Sequence, residues 1–306
     1  MKHFFIQLLK FTLLSALVFM ILEYIFTSVY QNGKYYKTQW IGHIKNQNFD
    51  YIIHGSSRPY TCLDVASLNK STGLKGLNLS LDGAVTPTYY LMLKMFLANG
   101  NTTKKIYLNI DNWEAGTEIV GNFTYPHFFP YLKDSIVFNH YKVYGLKWYA
   151  YRYIPFLRYA EFNTAWGIHQ FANSIFHFKK PDYDEVGTKI YKTTSYHGPN
   201  ELQTFEFNTK EKMKYLDAII QLCKKEKIEL YIFTAPLCIL NNTSGYYKSV
   251  NDFKTLMNAK GIPYFNHGDL YVQKYNLFVD EDHLNKFGVP LYTEEFRKLL
   301  ISTHQK

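Results

Sequence analysis

Runs of apolar residues divide the chain into one long block and several short ones. Residues Phe11 to Tyr30 read FTLLSALVFMILEYIFTSVY and carry a single formal charge, Glu23. Twenty helical residues at about 1.5 Å each reach roughly 30 Å, one hydrocarbon thickness. The block therefore predicts a membrane-spanning helix over residues 1–30. A signal peptide is the alternative, but no small-x-small cleavage site follows the run. Lys2 and Lys10 on the short side favour a cytoplasmic amino terminus, against Lys34 and Lys37 on the other side. Glu23 is costly in lipid and calls for snorkelling or a partner helix.

Beyond a polar, aromatic stretch at residues 31–48, the blocks shorten and alternate in period. Tyr51–Ile53, Leu74–Leu79, Lys105–Asp111, Ile228–Thr234 and Ile262–Phe265 are compact apolar runs that predict strands. Thr86–Asn99, Lys210–Lys225, Tyr246–Lys260 and Tyr292–Ser302 show helical spacing, with Gly100 and Gly261 just past two of the ends. Strands alternating with helices imply a mostly parallel, flavodoxin-like sheet in a three-layer α/β/α sandwich over residues 31–306. In such sheets a ligand sits at the carboxyl ends of the strands. From about residue 113 to 205 the alternation fails. That aromatic-rich stretch reads as an insertion, partly helical around residues 134–178, forming either a lid or polymer-binding wall at the active edge or extra core packing. No internal repeat is present.

Composition narrows the function classes. The 306 residues are 47% apolar and 19% charged, which excludes disorder, and 18% aromatic. The net charge of +9 is spread thinly, with no Arg-rich strip and no zinc spacing, so nucleic acid is not an expected partner. Anionic lipid or cell-envelope polymer suits such a balance better. Cys62, Cys223 and Cys238 form no CxxC pair and read as buried thiols.

Three separated pieces fall in loops after strands or before the last helix. They are His54-Gly55-Ser56-Ser57-Arg58, Asn78-Leu-Ser-Leu-Asp-Gly83-Ala84 and Asp280-Glu281-Asp282-His283-Leu284-Asn285. A serine hydroxyl is a weak nucleophile until a base takes its proton. His283 offers such a base. Asp280, three residues earlier, offers the carboxylate that fixes its tautomer. Each piece also has a plain reading: a βα turn with an N-cap serine, a capped acidic loop, a strand-ending glycine. Asp280, Asp282 and His283 hint at a metal, but no second His or Cys cluster supports one. Arg58 suits an anionic substrate or, more simply, a surface carboxylate. His54, His127 and His267 read as structural histidines.

In their order along the chain, these pieces resemble the SGNH hydrolase superfamily, the GDSL esterases. More narrowly, they are similar to membrane-anchored branches such as the D-alanyl-transfer protein of teichoic acid operons and the alginate O-acetylation proteins. The resemblance spans Asp50 to Lys306 in outline, without the insertion. It implies a nucleophile third in the GDS-like triplet, Ser57, with Ser56 as the competitor standing where the family has Asp. It implies a Ser57–His283–Asp280 triad and an oxyanion hole from the N–H groups of Ser57 and Gly83 plus an amide. That amide matches Asn112 best, with Asn109 competing, although the family's flanking Gly and Asp are absent. It implies a serine esterase or O-acyltransferase needing neither metal nor organic cofactor. The enzyme would act outside the cytoplasmic membrane on polysaccharide, with a multispan membrane protein as a plausible acyl donor. The alternative is a catalytically inactive member of the fold that binds glycan or scaffolds an acylation complex.

Overall fold

The computed structural model describes residues 1–111, 115–121, 123–161, 164–193, 196–198, 213–240 and 243–304. Five strands and twelve helices follow in chain order: α1 (Lys2–Asn32), α2 (Lys37–His43), β1 (Asn48–His54), α3 (Ser57–Cys62), α4 (Val65–Thr72), β2 (Gly76–Asn78), α5 (Thr86–Ala98), β3 (Thr102–Asn109), α6 (Ser135–Tyr141), α7 (Lys147–Tyr153), α8 (Leu157–Ala160), α9 (Thr164–Phe176), α10 (Lys214–Lys225), β4 (Glu229–Thr234), α11 (Thr243–Ala259), β5 (Tyr264–Asn266) and α12 (Gly288–His304), among the described residues. They form two compact units. One holds residues 1–44 and 125–181, the other residues 45–124 and 182–306.

The second unit is built on a five-stranded sheet of order β2-β1-β3-β4-β5, every neighbouring pair parallel. Ile52 stands beside Leu77 of β2 and Ile106 of β3, and Asn109 beside Phe233 of β4. Tyr51, Ile52 and Ile53 are fully buried in succession, the pattern of a strand covered on both faces. One face packs Tyr51, Ile53, Tyr107 and Phe233 on Val65, Leu68, Tyr292 and Phe296. Accordingly α12 packs with α3 and α4, while α5 packs with α10. From β1 the chain goes to β2 on one side and then returns to β3 on the other. That reversal opens a crevice at the carboxyl ends of β1 and β3, where parallel sheets of this order hold ligands.

The strands and the long helices fall close to the runs that predict them. Two short helices do not. α3 has six residues and contains Pro59, and α4 buries only Val65 and Leu68, too little apolar periodicity to read. All three cysteines are buried in this unit and have no disulfide partner. Burial pushes the Cys223 and Cys238 thiols up to about 12, which makes them poor nucleophiles.

In the first unit, α1 is one continuous helix with mean hydropathy 2.2 over its most apolar window, and no residue of that window is buried. It is long and apolar enough to cross a membrane or to serve as a signal sequence. Its carboxyl half is covered by residues of the inserted segment. Phe26 stacks on Phe171 at 4.2 Å between ring centroids, and Tyr30 stacks on Tyr159 at 5.9 Å. Glu23 is buried against the guanidinium of the fully buried Arg158, with Lys133 at 3.5 Å. Its partner is therefore intramolecular, and Phe156, Tyr159 and Phe171 of the inserted segment have α1 as a packing surface. His127 is half-buried here, edge-on to Tyr36, and the desolvation of its ring pulls its pKa down to about 4.

Candidate active site at the carboxyl edge of the sheet

Gly55 lets β1 turn directly into α3. Its φ is +148°, and a Cβ there would come within 2.7 Å of Pro59 and 3.0 Å of Asn109. Only glycine lets this turn approach the end of β3 so closely. Ser56 takes the N-cap position and is 7% exposed; its side chain makes no capping bond. Ser57 opens the helix and is partly exposed, so its N–H is one of the groups that no intrahelical carbonyl can satisfy.

The loop after β2 is hydrogen-bonded to this turn. Leu79 N–H donates to Ile53 O at 2.7 Å and Leu81 N–H to Gly55 O at 3.1 Å. The Asn78 amide donates to Pro59 O at 2.9 Å. Gly83 follows at φ +64°, with Phe123 where a Cβ would stand.

The third piece arrives from just before α12. Asn285 is fully buried, donates to Asn276 O and Phe278 O, and accepts from the N–H groups of Phe287 and Gly288. It thereby fixes the loop that carries His283. Within that loop Asp280 Oδ1 accepts from the N–H groups of Asp282 and His283, at 3.1 and 2.8 Å. The same carboxylate faces His283 Nδ1 at 2.9 and 3.0 Å. On the other side of the ring, His283 Nε2 lies 2.8 Å from Ser57 Oγ, across 226 residues of sequence. Ser57, His283 and Asp280 are thus brought to one point.

Asp282 joins them, which the sequence did not single out for this role. Its Oδ1 is 2.9 Å from the same Nδ1. In a run of three acidic residues, spacing alone does not tell which second carboxylate turns inward. Burial works against an imidazolium, but the hydrogen bonds and charges of Asp280 and Asp282 outweigh it and push His283 up to about 10. Asp282 answers in the opposite sense: burial resists its charge, but the His283 hydrogen bond and charge hold it down at about 2. With a raised folded pKa, the stabilisation from His283 is complete below its ordinary value of about 6.5. It is lost as pH rises through about 10.

Arg58 is not at the surface. Its side chain is 2% exposed, and it donates to Asp111 at the end of β3 and to the carbonyls of Ala235 and Pro236 after β4. Burial penalises the cation, but the Asp111 charge beside it raises its pKa above the ordinary arginine value. The residue after Ser57 therefore ties three strand ends together beneath the site. An anionic substrate would find this guanidinium already enclosed.

The amide donor is less simply placed. Asn112 lies outside the described residues. Asn109 is buried and its amide donates to Phe233 O at 3.1 Å, so it bridges β3 and β4. Among the described residues of the stretch 113–205, those near 182–191 border the pair. Val186 O accepts from Asn78, Lys189 N–H donates to Tyr60 O, and the Tyr191 ring stands edge-on to His283 at 5.8 Å. His54 bonds Tyr89 O at 2.9 Å and His267 bonds the Tyr292 hydroxyl at 2.9 Å, both away from the pair. Burial lowers His267 to about 4.

Asp280, Asp282 and His283 also put three ligating atoms within 4.8 Å of one another. An ion there would compete for the Nδ1 that the carboxylates hold, and would leave Nε2 free to face Ser57. Comparison with protein-family models and with curated proteins finds no match for this chain.

Proposed function

We propose that the protein is a membrane-anchored serine esterase or O-acyltransferase that acts outside the cytoplasm on cell-envelope or secreted polysaccharide. One observation carries the reading: a hydroxyl and a carboxylate on opposite nitrogens of one imidazole, at 2.8 and 2.9 Å, drawn from the two ends of the sheet unit. The site lies where this strand order opens its crevice. The reading includes a three-layer α/β/α arrangement. It is supported by the consecutive burial of Tyr51 to Ile53 and by the two separate helix groups, α3–α4–α12 and α5–α10. The anchor is α1, with Lys2 and Lys10 favouring a cytoplasmic short end.

In the proposed reaction Ser57 Oγ attacks the acyl carbonyl as its proton passes to His283 Nε2. The new Oγ–C bond forms, and the negative charge moves onto the carbonyl oxygen. The N–H groups of Ser57 and Gly83 would meet that charge, with Asn112 as the further donor. As the carbonyl re-forms, the C–O bond to the leaving alkoxide breaks and His283 returns the proton to it. A polysaccharide hydroxyl or water then attacks the acyl-serine by the same steps in reverse. Asp280 and Asp282 stabilise the imidazolium in both halves. Acetyl is the expected acyl group, and a multispan membrane protein is the expected donor.

A fluorophosphonate probe tests this against a non-catalytic glycan-binding or scaffolding role, which the bridging position of Asn109 favours. The expected result is covalent labelling of the wild type and none of Ser57→Ala. Wild-type protein that stays unlabelled would leave the scaffolding role standing.

Two carboxylates on one imidazole also set the pH profile. Only the free base can accept the Ser57 proton, and its pKa stands near 10. The expected kcat/KM for a simple acetate ester, corrected for spontaneous hydrolysis, keeps rising above pH 7 instead of levelling there. Asp282→Asn removes one charge, so the rising limb should move to lower pH. A wild-type limb already flat at pH 7 would show that the two carboxylates do not hold His283 above its ordinary range.

A further inference from the structure

Between α7 and α8 the inserted segment turns through Tyr153-Ile154-Pro155-Phe156-Leu157, five consecutive residues without a charge. Tyr153 is 67% exposed and Ile154 53%, a costly arrangement if water is the surroundings. The turn is held against α1 at a definite level. The Phe156 ring stacks on Phe19 at 6.4 Å and meets Phe26 edge-on at 5.0 Å, and its N–H donates to Glu23 Oε2 at 3.1 Å. Phe156 adopts φ +67°, which a bulky residue takes only when its surroundings impose it.

The N–H groups of this turn are paired inside the protein. Ile154 N–H donates to Ala150 O, Phe156 N–H to Glu23 and Leu157 N–H to Ile154 O. Pro155 has no N–H to satisfy. Irregular backbone at membrane depth requires this kind of internal pairing. The depth follows from α1. If residues 11–30 span the hydrocarbon layer, Phe19 and Phe26 lie roughly 16 and 6 Å below the boundary nearer Tyr30, at about 1.5 Å per residue. Glu23 at the same level is neutralised by Arg158, as a carboxylate in lipid must be.

We propose that the Tyr153–Phe156 turn is itself embedded in the bilayer beside α1, its partner being lipid acyl chains of the leaflet nearer Tyr30. The anchor is then a helix plus a wedge, joined by the Glu23–Arg158 pair. This rests on the reading of α1 as a membrane span, and the experiment separates the two. The full chain is placed in phosphatidylcholine–phosphatidylglycerol nanodiscs with a nitroxide on Ile154→Cys. Labels on Leu14→Cys of α1 and on Lys224→Cys of α10 serve as references. The three native thiols are buried, which keeps the label on the introduced site. Oxygen, which concentrates in lipid, and a water-soluble nickel chelate compete to relax the label. The expected ratio of oxygen to nickel collisions exceeds one at positions 14 and 154 and falls below one at 224. A ratio above one at 14 but below one at 154 overturns the wedge and leaves the span. Ratios below one at both remove the span and the wedge together. Low collision with both reagents at 154 means that protein covers the turn, and also overturns the proposal. If Ile154→Cys does not fold, Tyr153→Cys carries the same test.

Discussion

Ser57→Ala is expected to lower hydrolysis of p-nitrophenyl acetate by about 10³-fold or more, with the unfolding midpoint almost unchanged. The size follows from the arrangement. Ser57 Oγ is the atom that faces His283 Nε2 at 2.8 Å, and the water that replaces it is not held at that distance by a covalent tether. Ser57 is only partly buried and makes no other side-chain bond among those described, so its loss leaves no enclosed polar group behind. Ser56→Ala is the comparison. Ser56 takes the N-cap position without a capping bond, so its removal should leave stability almost unchanged and cost only a few-fold in rate. Steady-state kinetics on both variants decide the matter. A Ser57→Ala enzyme within tenfold of the wild type would remove Ser57 from its proposed role, and a large loss in Ser56→Ala alone would transfer that role to its neighbour.

The second large effect concerns Arg58 and Asp111. Their side chains are 2% and 3% exposed, and the pair lies beneath the ends of β1, β3 and β4. Taking away one member strands the other charge in a dry interior, at a cost of about 3–5 kcal/mol. Arg58→Met and Asp111→Leu are each expected to lose that much in urea unfolding of the detergent-solubilised chain. The double variant should regain only part of it, because the carbonyls of Ala235 and Pro236 also lose their donor. Singles as stable as the wild type would show that the pair carries no such weight. Equal losses in Arg58→Met and the double variant, with none in Asp111→Leu, would show that the carbonyl bonds matter and the ion pair does not.

These two cases mark where the sequence can be read and where it cannot. A continuous apolar run such as Tyr51-Ile52-Ile53 stands out because a strand buried on both faces has no polar side to hide it. The meeting of Ser57 with His283 and Asp280 was legible because each occupies a loop whose place in a βα alternation is set by the neighbouring strand or helix. Arg58 was not legible. Nothing in a lone arginine beside two serines tells that its partner is Asp111, at the end of another strand. Asp282 escaped for a related reason: three acidic residues in a row differ only in which way the chain turns after Val279. In the aromatic stretch the partner surface is α1, more than a hundred residues earlier in sequence, so no local period could reveal what Phe171 or Tyr159 packs against.

The interruption between β3 and β4 has a consequence for how the chain is made. Asn109 and Phe233, neighbours in the finished sheet, are 124 residues apart. At synthesis rates of about 5–20 residues per second, β3 waits roughly 6–25 seconds before the strand that should lie beside it emerges. During that interval its N–H and C=O groups form an open, apolar edge, the kind that recruits strands from other molecules. While the aromatic segment is being translated, β3 keeps this edge open, and a factor that shields β-edges would be needed in that window.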